Sequence, residues 1–482
     1  MDFVHFFLKK ISFSVCRPLS HIFNISYETG ILPDAWKKAV VVALHKKGDM
    51  SKACNYRPIS LCSVVCKLME SIINSHLLLH LESNNLLSAN QFGFRKNKSC
   101  PLQLLKCKNE WTKLLDVGES IDIIYIDFCK TFDSDSHPKL LSKLEPFGLD
   151  NRTCCWIKSF LTGRSQQVKI NTALSSSQNV TSGVPQGSVL GPTLFLLYVN
   201  YLLEIGIQSK IYLFADDVKI FNTSSNHETL ATDLDLISEW SNKWQLKMSL
   251  PKCSVLYVGR NNPKHQYRLS DYVLANDNTE VKDLGVIMDR YISFTSHCNN
   301  IAKRAKIICN LILRSFTSRN PEILIRSFIV YVRPVLEYAS IVWNPYLIKD
   351  INVLENVQKN FTKRILADKT LSYTERLKYF SIETLEKRRL VSDLSLMYSI
   401  VKSNVIPFND FFTLNKNITR SNHPWKLQIQ KYHHNIRKND FSNRVILVWN
   451  SLPLEIVESH NPKNFMKKLK KYDLSKYLLG PL

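Results

Sequence analysis

Three carboxylates in this chain could do chemistry. Asp127 closes a compact β-branched run, "SIDIIYIDF", Ser120 to Phe128. Asp216 and Asp217 stand side by side between two apolar, β-leaning runs in "KIYLFADDVKIF", Lys210 to Phe221. Adjacent like charges repel and strands disfavour Asp, so the pair needs a reason. One reason is a solvated hairpin turn, where Asp is common. The other is a hard-oxygen site for divalent metal, because Mg²⁺ needs only two or three carboxylates when substrate phosphates and water complete its shell. Three acids from two strands are what nucleotidyl transfer requires, with a two-metal site activating an attacking hydroxyl and neutralising a leaving pyrophosphate. Without metal, their mutual repulsion would raise one or more pKa values. On these stretches alone both readings stand.

A second chemical stretch lies between them. In "SGVPQGSVLGP", Ser182 to Pro192, Gly183, Gly187 and Gly191 permit close backbone approach to a ligand. Pro185 and Pro192 fix the path into the next helix, and Gln186 is a neutral hydrogen-bonder held at the turn. Other candidates carry less. His76 and His80 sit in "HLLLH" on an apolar helix face and read as structural. Twelve Cys are scattered without a disulfide framework or zinc spacing, which suits a reducing compartment.

The elements that must position these residues follow from apolar spacing. Residues 36–47 read as a strand, and "ISLCSVVCKLMESIINSHLLLHLESNNLLS" as a helix ending in Asn-rich loop chemistry. After the strand ending near Asp127 come two short helices, "HPKLLSKLEPFG" and "NRTCCWIKSFLTGR", then a hairpin from "SQQVKI" and "SSQNVTSGV". A helix opened by Pro192 and closed by Gly206 precedes the "FADD" hairpin. A strongly amphipathic helix and the strand "KCSVLYVG" complete the set. This order predicts an α+β layer with helices on one face of a mainly antiparallel sheet. Such a sheet can bring Asp127 beside Asp216 and Asp217. Beyond residue 300 the spacing is mostly helical, with Trp343 and Trp449 expected in the core.

At 482 residues, 45% hydrophobic with 13 Gly and 18 Pro, the chain is globular and long enough for two to four cores. Its net charge of +23 points to a polyanionic partner. Residues 301–482 hold 31 Lys+Arg against 14 Asp+Glu, a net of +17, leaving only +6 on residues 1–300. Phosphate backbones are therefore expected at the C-terminal third. The N-terminal "MDFVHFFLKKISFSVCRPLSHIF" is too interrupted by Lys9, Lys10 and Arg17 to span a bilayer, so neither membrane nor secretion is expected.

Taken in order, "YIDFCKTFD", "SGVPQGSVLGP" and "FADD" resemble reverse transcriptases, and more narrowly those of non-LTR (LINE-type, jockey/CR1-like) retrotransposons. The flanks "ILPDAWKKAVVVALHKKGD", "NYRPISL", "QFGFRKNKSC", "DLGVIMD", "YVRPVLEYASIVWNP" and "NRVILVWNSLP" agree, so the resemblance covers nearly the whole chain. It implies a right-hand polymerase: an N-terminal extension and fingers over 1–119, a palm over 120–260 with an inserted fingers segment at about 150–180, a primer grip and thumb over 261–345, and a basic helical region over 346–482. It implies an RNA-directed DNA polymerase that uses two Mg²⁺ ions (or Mn²⁺ in their place), an RNA template, a DNA primer or target, and dNTPs. Its expected location is intracellular, in cytoplasm and nucleus as a ribonucleoprotein. The chain is expected to lack the endonuclease domain that intact elements carry before the polymerase, and a C-terminal zinc knuckle.

Position by position, the resemblance makes Asp127, Asp216 and Asp217 the metal ligands, and Lys252 in "LPKC" the lysine proposed to protonate pyrophosphate. Phe132 matches the bulky gate that collides with a ribose 2′-hydroxyl. Gln186 and Gly187 would line the nucleotide pocket, Lys47 and Arg57 would hold the triphosphate, and Arg95 and Lys96 would meet the template backbone. The chain departs from the family's pattern at Thr131, Asp135, Ser136, Tyr201 and Ser249. None of these removes a metal ligand. Thr131 adds bulk beside the triphosphate, and Asp135 puts a charge where an apolar residue should pack, which costs a few kcal/mol if it is buried.

Overall fold

Where the apolar period is two the chain forms strands, and where it is helical it forms helices. A computed structural model describes residues 6, 9–129, 131–275, 278–403, 405–415 and 423–480. Part of the N-terminal segment read above, residues 1–5 and 7–8, lies outside the described residues.

Strands β1 (Lys38–His45) and β2 (Tyr56–Leu61) form an antiparallel hairpin. Strand β3 (Ile121–Ile126) ends one residue before Asp127. Strand β4 (Arg164–Ile170) carries β5 (Ala173–Leu174) and β6 (Gln178–Val180) antiparallel, as the hairpin reading expects. It also lies parallel to β1, with Lys38 opposite Ser165, so residues 164–180 join the first hairpin in one outer sheet. Local sequence carries no sign of that long crossover.

The central sheet adds β7 (Lys210–Phe214), β8 (Asp217–Thr223) and β9 (Ser254–Val258) in the order β7-β8-β3-β9, antiparallel throughout. Its faces differ from the expectation. Helices cover both, not one. Ile124 and Ile126 pack with Leu140, Phe195 and Trp240 on one side, while Ile121 and Ile123 pack with Trp111 and the C-terminal helices on the other. A strand of four Ile with few polar interruptions suits burial on two faces. Trp343 and Trp449 are buried in that second core, as expected.

After two short strands, β10 (Arg268–Leu269) and β11 (Tyr272–Val273), the hairpin of β12 (Glu280–Asp283) and β13 (Val286–Asp289) leads into the helix Thr295–Ser315. The C-terminal region clamps the helix Cys100–Asp116 behind the central sheet. Lys108 reaches Asp440 at 3.1 Å, and Arg437 donates to Asn109 at 2.8 Å. Among the described residues, the helix Val64–Ser83 alone is long and apolar enough to cross a membrane. Its Met69, Ile73, Leu77 and Leu81 are buried, and its Glu70 accepts backbone N–H bonds from Val189 and Leu190 at 2.6 and 3.1 Å. Those contacts make it a core helix. All twelve cysteines are free thiols.

Candidate active site

The central sheet delivers the acids to one end. Antiparallel register puts Ile126 opposite Val218, so the next position sets Asp127 beside Asp217. Phe214 pairs with Asp217, leaving Ala215 and Asp216 as a two-residue hairpin tip. Tips of this kind need positive φ at the first central residue, usually supplied by Gly; here Ala215 takes it, at φ +56°.

Its strain is held by "QFG". Gln91 Oε1 accepts the N–H of Ala215 at 3.0 Å and of Gly93 at 2.8 Å, while its Nε2 donates to the Ala215 carbonyl at 3.4 Å. A Cβ on Gly93 would lie 2.3 Å from the Ala215 nitrogen. Gln91 and Gly93 therefore position the acidic tip, a role the sequence reading did not assign. A glycine set between two phenylalanines, Phe92 and Phe94, is the signal of close backbone approach that could have found it.

Electrostatics show the acids crowding one another. Desolvation by the surrounding sheet, then Asp216 and Asp127, push Asp217 up to about 6. Asp217 keeps an exposed edge, so solvent screens part of this repulsion. Lys252 places its Nζ 2.5 Å from Asp127 Oδ2, and that bond raises the lysine's own pKa. Thr131 Oγ1 donates to Asp216 Oδ2 at 2.7 Å. With the acids turned to these partners, no three His, Cys, Asp or Glu among the described residues converge tightly enough to hold an ion. The donor set nonetheless fits one. It is all hard oxygen, on adjoining strand ends, with a repulsion that a divalent cation would relieve.

The pocket wall comes from two loops stitched to each other. Gly183 N–H donates to the Asp135 carbonyl at 2.8 Å and Val184 N–H to the Phe132 carbonyl at 2.7 Å. A Cβ on Gly183, at φ +77°, would meet the Phe132 carbonyl oxygen at 2.5 Å. Gln186 Nε2 donates to Asp133 Oδ1 at 3.0 Å, and its carbonyl accepts from Ser60 N–H on β2 at 2.7 Å. Phe132 lies between Phe94 and Phe195, at centroid distances of 6.2 and 4.8 Å. Gly187 packs on β2, where a Cβ would meet the Ser60 carbonyl oxygen at 2.8 Å. Lys47 and Arg57 are exposed at the loop end of the β1–β2 hairpin, without an ion-pair partner among the described residues. Both can meet an anion there.

One residue behaves otherwise than the sequence suggests. Arg95, expected at the template, pairs with Glu82 at 2.5 Å and donates to the carbonyl of Ser88. Its side chain is 9% exposed. The guanidinium ties a loop to the helix Val64–Ser83 and is not presented to a template; Lys96, beside it, is exposed. A buried ion pair also went unread: Lys219 on β8 with Asp283 on β12, which fastens the "DLGVIMD" hairpin to the central sheet. Asp135 is buried as the pattern feared, and neither carboxyl oxygen has a hydrogen-bond partner among the described residues.

The family described as reverse transcriptase (RNA-dependent DNA polymerase) matches residues 44–288. The chain is 27% identical over 366 residues to the probable RNA-directed DNA polymerase from transposon X-element of Drosophila melanogaster, covering 71% of this chain and 39% of that protein. It is 30% identical over 305 residues to the RNA-directed DNA polymerase from mobile element jockey of the same species, covering 60% and 33%. The match thus spans two fifths or less of those relatives' length. Among solved structures, apo telomerase from Candida tropicalis matches at 12% identity with a TM-score of 0.41, covering 81% of this chain and 72% of that one.

Proposed function

Because the chain belongs to the reverse transcriptase (RNA-dependent DNA polymerase) family, we propose that it is the RNA-directed DNA polymerase of a non-LTR retrotransposon, adding dNTPs to a primer 3′-hydroxyl. The observation that carries this reading is the meeting of Asp127 with the Asp216–Asp217 tip at one sheet end. Two divalent ions bound there would lower the pKa of the attacking hydroxyl and neutralise charge on the leaving pyrophosphate.

The chain's own residues do the rest. Asp127, Asp216 and Asp217 supply oxygen ligands once Lys252 and Thr131 release them. Lys252, kept protonated by its carboxylate partner, is a proton donor within reach of the site. Lys47 and Arg57 hold the triphosphate from the hairpin loop. Gln186 and Gly187 floor the pocket, and Phe132, braced by two other rings, blocks a 2′-hydroxyl. Lys96 and the basic residues after 300 hold template and primer backbones. Free thiols support an intracellular setting, cytoplasmic and nuclear as a ribonucleoprotein.

A second reading has its own observation. The metal-binding acids are engaged by Thr131 and Lys252, and Asp135 burdens the pocket, as in a polymerase-fold remnant that binds nucleic acid without catalysis. Primer extension on an RNA template with Mg²⁺ and dNTPs separates the two. Extension that disappears in an Asp216→Asn, Asp217→Asn chain supports the enzyme; salt-sensitive RNA binding without extension supports the remnant. In an extending chain, Phe132→Val is expected to admit ribonucleotides, and unchanged sugar selectivity would reject the gate.

A further inference from the structure

A cavity of about 850 Å³ opens at the end of the central sheet away from the acids. Ser120 lines it just before β3, whereas Asp127 follows β3, so the strand separates the two places by roughly 23 Å at about 3.3 Å per residue. Its size is that of a ligand pocket. Two loops bring cations to it. Arg260 follows β9 and Arg290 follows β13, and Gly259 N–H donates to the Arg290 carbonyl at 3.2 Å, which locks the loops together.

Neither guanidinium forms an ion pair among the described residues. The nearby acids are otherwise disposed. Asp116 accepts the backbone N–H groups of His433 and His434 at 2.9 and 2.8 Å, and Glu119, which lines the cavity, receives Ser225 Oγ at 3.5 Å. Aromatic surface completes the lining. Tyr291 is 54% exposed with the Arg290 guanidinium 5.2 Å from its ring centre, and Tyr346 stands across the same cavity with His434 and Asn435.

Arginines without ion-pair partners beside an exposed tyrosine ring are the chemistry of single-strand binding, phosphates on the cations and a base on the ring. We propose that this cavity is a second polynucleotide site, holding the phosphates of a single strand on Arg260 and Arg290 and stacking a base on Tyr291. It extends the polymerase reading to a stretch of strand remote from the chemistry, and does not depend on catalysis.

The test measures binding of short labelled single-stranded RNA, single-stranded DNA and duplex DNA to the full chain across a salt series. An Arg260→Ala, Arg290→Ala chain is expected to lower the log–log salt slope by about 1.4 for single strands, at about 0.7 per lost phosphate contact. Tyr291→Ala is expected to weaken single-strand binding about fivefold or more. These exposed or half-buried positions should leave the melting temperature unchanged. Greater loss on RNA assigns an RNA strand, and equal loss assigns the phosphate and base chemistry the two share. An unchanged slope, or a loss confined to duplex, overturns the site. RNA carrying a photoreactive base gives an independent readout: crosslinks at Tyr291 or Tyr346 support it, and crosslinks confined to the acidic end overturn it. In the Asp216→Asn, Asp217→Asn background the Arg260→Ala, Arg290→Ala change is expected to lower the slope by the same amount, so failure of this site and failure of the polymerase reading give different results.

Discussion

Replacing Asp135 with Val should stabilise the protein, and by an amount that depends on pH. The side chain is 0% exposed, and both oxygens lack partners among the described residues. Burial first, then Asp133 and Asp216, push its carboxyl well above the usual range. In the unfolded chain the same group titrates near about 3.9. Above that pH the native state binds the extra proton, so stability falls as pH rises, by about 1.4 kcal/mol per unit until the buried carboxyl itself ionises.

At the acid end both states are protonated, and the remaining cost is an unpaired hydroxyl and carbonyl in an apolar site, about 1–3 kcal/mol. Asp135→Val removes both contributions at similar volume. The variant should therefore gain about 1–3 kcal/mol below the ordinary carboxylate range and measurably more near pH 6, read by urea unfolding followed through tryptophan fluorescence. Asp135→Asn should flatten the pH dependence while keeping the polar cost. An equal gain at both pH values would show that the carboxyl is not held neutral. Destabilisation by Val would show that it is paired, and would refute the reasoning outright.

Gly93→Ala should displace the hairpin tip by about an ångström and cost extension about a hundredfold, checked by single-turnover primer extension beside a melting curve. Lys219→Ala strands Asp283 without its partner and should destabilise by about 3–5 kcal/mol, whereas Lys219→Met with Asp283→Leu should recover most of that in urea unfolding. Arg95→Ala should lower stability yet leave the salt slope of template binding unchanged, while Lys96→Ala should reduce that slope by about 0.7–0.9 with the fold intact; the reverse pattern would restore Arg95 to the template.

What sequence could tell about this site depended on how local each determinant is. The strand ending at Asp127 and the hairpin presenting Asp216 were legible because side-chain alternation and flanking turns are local signals. Their convergence was legible only as a possibility, since it rests on the β3–β8 register across some ninety intervening residues. The parallel pairing of β1 with β4 left no trace, because β4 also satisfies an ordinary hairpin. Arg95 was misread for a related reason. A cationic loop residue looks the same in sequence whether it faces phosphate or Glu82.

Thr131 and Asp135 were both noticed as departures, but their consequences needed the fold. Thr131, read as excess bulk, turned out to offer its hydroxyl to Asp216. The places where this site breaks local rules then divide by cause. Ala215 at positive φ and three crowded acids are strains that a metal-binding tip would require, and Gln91 and Gly93 hold them in place. Asp135 breaks a rule with nothing opposite it to gain from. It is therefore the residue at which stability should rise with the pocket's chemistry left intact.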